Sequence, residues 1–132
     1  MVFVLTAVSA MTGCSADQKK GPPTSATPPG AAQAGATAPP GVSISPAGVT
    51  TTINVPARST EEEYFQACHA ATTWMQGNPG DRRALVERYL AAVQAPGVVG
   101  AGTWNVAWAA LPLAQQAAVI VAAKAAANDE CG

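Results

Sequence analysis

Three cysteines, one histidine and a close pair of tryptophans are the side chains here with chemistry to offer. Cys14 stands apart near the amino terminus, and Cys68 and Cys131 lie far downstream. Cys68 is followed directly by His69, which raises the question of a metal site with Cys131. Adjacent residues on a helix point about 100° apart, so Cys68 and His69 do not share one metal easily. Zinc also needs four ligands, or three and a water, and no further histidine is available. A disulfide between Cys68 and Cys131 is the better reading, and His69 reads as a surface or partly packed histidine. No metal and no cofactor are expected. The acidic run Glu61-Glu62-Glu63 opens a helical pattern, where the helix dipole favours negative charge, so it reads as structural. Trp104 and Trp108 are one helical turn apart if helical, placing both indoles on one side. Such a pair reads first as core and second as the lining of a ligand pocket. Gly97, Gly100 and Gly102 lack the preceding strand and the following Lys-Ser/Thr of a phosphate loop.

The amino terminus explains the odd cysteine. Residues 2–12 form a short apolar run that ends in Met11-Thr12-Gly13-Cys14. It is too short to span a bilayer, which takes about 20 residues, and its length suits the apolar region of a signal peptide. Its end resembles the bacterial lipobox, in which a small residue precedes a cysteine that receives diacylglycerol. Residues 1–13 are therefore expected to be a lipoprotein signal peptide and Cys14 the lipidated residue. Several acyl chains, each buried methylene adding about 0.8 kcal/mol, hold a protein firmly at a membrane. No Lys or Arg precedes Cys14, so a start further upstream than Met1 is expected.

Export permits disulfides. A bond from Cys68 to Cys131 would close a loop of about 60 residues and stabilise the fold by roughly 4 kcal/mol. The remaining charges, seven Lys and Arg against eight Asp and Glu, nearly cancel and form no basic patch. Nucleic-acid binding rests on clustered positive charge, so it is set aside.

These residues must be carried by two unlike regions. Residues 14–57 read as a lipid-anchored disordered spacer. Residues 21–57 carry no charge, and 30 of those 37 are Pro, Gly, Ala, Ser or Thr, too polar and broken to offset the entropy of ordering. Within the spacer, Val49, Thr51, Ile53 and Val55 alternate with polar residues, which suggests one extended segment. With no ladder partner in view, no sheet is expected. Residues 58–132 read as a helical domain. The first helix runs from Ser59 to Gln76, with a capping box of Ser59 and Glu62 and a buried face of Tyr64, Cys68, Ala71 and Met75. The second is capped by Asp81 and runs to about Gln94, with Leu85, Tyr89, Leu90 and Val93 inward and Arg83 and Glu87 spaced to pair outside. The last begins at Pro112 and is rich in alanine, the strongest helix former. The expected fold is all-α: a small three- to four-helix domain stapled by one disulfide.

Several strings are distinctive: residues 45–51, Ser59 to Tyr64, Gln66 to Ala71, Trp104, Trp108 to Leu111, and the tail from Gln116 to Gly132. In these the sequence resembles the mycobacterial lipoproteins of the LpqV family. The resemblance implies a lipid-anchored envelope protein and assigns no catalytic or binding residues. Residues and resemblance lead to one expectation: a protein at the extracytoplasmic face of the cell membrane, held by Cys14 and not an enzyme. It would act as a non-catalytic binding or scaffolding module for an envelope protein. The alternative is a carrier of an apolar ligand, lipid or haem-like, with Trp104 and Trp108 lining the pocket.

Overall fold

The computed structural model describes residues 38–132, which belong to a single compact unit. The expected signal peptide, Cys14 and the spacer as far as residue 37 lie outside the described residues. In chain order come strands β1 (Val42–Ile44) and β2 (Thr50–Ile53) and helices α1 (Glu61–Gln76) and α2 (Arg82–Gln94). Two short 3₁₀ turns (Ala101–Thr103 and Trp108–Ala110) and helix α3 (Leu113–Ala127) follow.

The hairpin corrects the all-α expectation. β1 and β2 pair antiparallel, with Val42 opposite Ile53 and Ser43 opposite Thr52, and a register irregularity after Ser43. Residues 42–53 are thus not part of an unpaired spacer. The turn is built by Ser45-Pro46-Ala47-Gly48. Pro46 presets the second turn position, the Gly48 N–H donates to the Ser45 carbonyl at 2.8 Å, and Gly48 takes a left-handed φ of 81°. The expected alternation holds as far as Ile53: Val49 and Ile53 are buried, whereas Val55, beyond β2, is exposed. A hairpin needs something to lean on, and this one leans on α2 and α3. Gln94 acts as a substitute strand. Its side-chain amide accepts from the Thr50 N–H and donates to the Thr50 carbonyl, both at 2.8 Å.

α3 forms the middle of the domain, against α1, α2 and β2. Nine of its fifteen residues are buried, seven of them alanines. Small side chains let the surrounding elements approach closely, and the larger fully buried apolar side chains are Met75 of α1, Leu85 and Leu90 of α2 and Val119 of α3 itself. α1 is capped one residue later than expected. Thr60 accepts from the Glu63 N–H at 3.1 Å, and the Glu63 carboxylate accepts from the Thr60 N–H at 2.7 Å. Ser59 and Glu62 have the same spacing but lie one step too early to join the box. α2 begins at its expected cap, with Asp81 accepting from the Arg83 and Ala84 N–H groups. Arg83 does not turn to Glu87; its Nε donates to Asn128 at 3.1 Å, and Arg82 pairs with Asp129. Both contacts tie the start of α2 to the end of α3.

The segment carrying Trp104 and Trp108 is not a helix. Trp104 and Asn105 both adopt left-handed φ angles, 52° and 61°, a region that costs residues with a Cβ roughly 1–3 kcal/mol. The Trp104 indole N–H donates to the Glu63 carbonyl at 2.8 Å and fastens this segment to the first turn of α1.

Candidate functional site: the outer face of α1

The two faces of α1 differ in what they carry. Inward, Ala67, Cys68, Ala71 and Met75 are buried. Cys68 is joined to Cys131, with Cα atoms 5.6 Å apart, so the end of the chain is pinned to the middle of α1. Both sulfurs are consumed by the bond, and among the described residues no three metal-binding side chains gather. Outward, at positions 62, 65, 66, 69 and 73, the helical period places a second stripe. Phe65 is 50% exposed, and its ring lies flat on His69, centroids 5.9 Å apart and planes 8° from parallel. A turn further on, half-buried Trp74 meets Tyr89 edge-on at 5.6 Å.

Between this stripe and Ala101 runs an open groove of ≈ 540 Å³. Its walls are Phe65, His69, Ala70, Thr73 and Trp74, with Glu62 and Gln66 at one end. Those two are joined, the Gln66 side-chain amide donating to the Glu62 carboxylate at 2.8 Å. No Lys or Arg lines the groove. A second hollow of ≈ 830 Å³ continues past Phe65 toward Cys131, rimmed by Glu61, Glu62 and Glu130. Phe65 is therefore a ridge between two depressions.

Tyr89 packs behind the groove. Burial without a partner pushes its phenol up to about 12, because desolvation disfavours the phenolate.

Trp104 and Trp108 are half-buried against the core. Trp104 spends its N–H on Glu63, and neither indole borders the α1 groove. Sequence reasoning passed over Phe65, His69 and Trp74 as a site. The available signal was Phe65 and His69, one turn apart on the flank of α1 and about 60–100° around the helix from Cys68.

Comparison with known proteins leads to the lipoproteins. The chain is 52% identical over 132 residues to proteins of Mycobacterium bovis and Mycobacterium tuberculosis named "Putative lipoprotein LpqV", covering all of this chain and 91% of theirs. The family model of the same description matches residues 36–132. The chain belongs to the LpqV lipoprotein family. No solved structure matches it.

Proposed function

We propose that this lipoprotein is a non-catalytic binding module that takes an apolar guest along the outer face of α1, anchored through acylated Cys14 at the extracytoplasmic face of the cell membrane. The observation that carries this reading is the α1 groove: aromatic side chains line an open depression on a helix whose other face is already satisfied. Recognition sites are typically concave and mostly apolar, with few polar groups. The anchor reading rests on the Cys14 motif and on membership of a lipoprotein family. Among the described residues no helix is long and apolar enough to cross a membrane.

Two experiments test it. Metabolic labelling with a fatty-acid analogue should mark the native chain and not Cys14→Ala; equal labelling contradicts the anchor. For the groove, the full chain carrying Cys14→Ser is titrated with the neutral apolar dye N-phenyl-1-naphthylamine. Saturable fluorescence enhancement that is lost in Phe65→Ser is expected. Enhancement indifferent to Phe65 places the guest elsewhere.

A further inference from the structure

One atom behind the groove has no part in holding the fold. The hydroxyl of Tyr89 is a buried side-chain polar atom with no hydrogen-bond partner among the described residues, on a side chain only 3% exposed. A buried group left unpaired costs about 1–3 kcal/mol, and phenylalanine would fill the same space without that cost. Its surroundings connect it to the groove. A Cβ built on Gly102 would lie 2.2 Å from this oxygen, and the same point is 3.7 Å from the Ala70 Cβ. The ring itself rests against Trp74. Ala70 and Trp74 are groove walls, and the opposite wall is Ala101, next to Gly102. The oxygen thus lies a single residue layer behind the lining, covered by a glycine backbone that no other residue could replace without a clash.

We propose that Tyr89 is the polar anchor of the groove: its phenol donates a hydrogen bond to the carbonyl oxygen of an uncharged, long-chain acyl ester whose chain lies against Phe65 and Trp74. This rests on the reading of the α1 groove as a binding site. The contact forms when the Ala101–Gly102 backbone moves off the hydroxyl. The class of guest follows from what the lining lacks. A carboxylate head would meet Glu62 and no Lys or Arg, and burying an unpaired charge is costly. An alkylammonium head brings no acceptor for the phenol. An ester brings an acceptor without a charge, and its hydrocarbon suits the aromatic walls.

The test is calorimetric titration of the full Cys14→Ser chain with 1-monolauroylglycerol below its micelle concentration. Laurate, dodecyltrimethylammonium and phosphatidylcholine vesicles serve as parallel arms. The glyceride is expected to bind more tightly than laurate or the alkylammonium, and vesicles not at all. Tyr89→Phe is expected to weaken the glyceride about five- to tenfold, the worth of one hydrogen bond. It should leave the alkylammonium unchanged and raise the melting temperature of the free protein. Glyceride affinity unchanged in Tyr89→Phe, with the dye still bound, overturns the anchor and leaves the groove standing. Laurate binding as tightly as the glyceride overturns the choice of an uncharged head, and vesicle binding without monomer binding overturns a single-lipid guest. Failure of the native residues to bind either dye or glyceride overturns both readings.

Discussion

The two faces of α1 differ in what they bury. Fully buried are two alanines, a disulfide-bonded cysteine and one methionine, with Tyr64 and Trp74 half-buried against the core at the margins; exposed are Phe65 and His69. Burial alone would favour Phe65 on the inside, since burying a Phe or Leu side chain contributes about 1.5–3 kcal/mol. The inner face lies against α3, whose alanines let it come near: the Cys68 sulfur is 3.4 Å from the Ala122 carbonyl, and Met75 is the one larger side chain fully buried there. What it forgoes in apolar area it regains by a covalent bond. On the outer face Phe65 and His69 contribute to a surface rather than to the core. Stability and recognition are thus carried by different faces of one helix.

That separation gives effects of graded size. The largest belongs to the staple. Replacing both Cys68 and Cys131 by alanine should lower unfolding free energy by about 4 kcal/mol, the loop-closure value for a separation of 63 residues. Denaturant titration measures this, and a loss under about 1 kcal/mol would mean the core suffices by itself. Next, Met75→Ala should cost about 2–5 kcal/mol, because Met75 is 2% exposed and is the largest fully buried side chain of α1.

Tyr89 gives a pH signature of comparable size. Its folded pKa, about 12, lies above the ordinary value of 10. The folded state therefore keeps a proton that the unfolded chain loses above pH 10. Stability from this group is complete below pH 10 and falls as pH rises toward 12, by about 3 kcal/mol in all. Chemical denaturation at pH 9 and pH 11.5 should show the fall, and Tyr89→Phe should remove most of it. The smallest effect on stability belongs to the outer face. Phe65→Ser should change unfolding free energy by no more than about 0.5 kcal/mol while abolishing dye binding. A large stability loss there would erase the distinction between the faces.

Legibility in the sequence follows the same division. Cys68, Ala71 and Met75 were readable as buried because they recur at helical spacing, whereas Tyr64, expected beside them, is half-buried and Ala67 was missed; the cysteine pair was readable because the motif at Cys14 suggests a separate use for the third. The cap was misplaced by one residue because Ser59-Thr60 and Glu62-Glu63 satisfy the same four-residue pattern in two registers. β2 was legible as an alternation, but its partner was not. Val42–Ile44 is three residues long and embedded among prolines and glycines, and it is held by pairing with β2, whose own Thr50 is fastened by the side chain of Gln94, 44 residues further on. Trp104 and Trp108 drew attention through a helical spacing that the left-handed Trp104 and Asn105 do not obey. The groove was invisible for a related reason. Phe65 and His69 look like a wet face until Ala101 closes the opposite wall, and that contact is set by packing rather than by any local pattern.

The most direct test of the binding face is a two-dimensional NMR titration of the full Cys14→Ser chain with 1-monolauroylglycerol. Saturable shifts should concentrate on the amides of Glu62 to Trp74 and of Ala101 and Gly102, leaving the hairpin and the Trp108 turn unmoved. Shifts centred on Trp108 or on the hairpin, with α1 unaffected, would contradict the assignment of recognition to the outer face of α1.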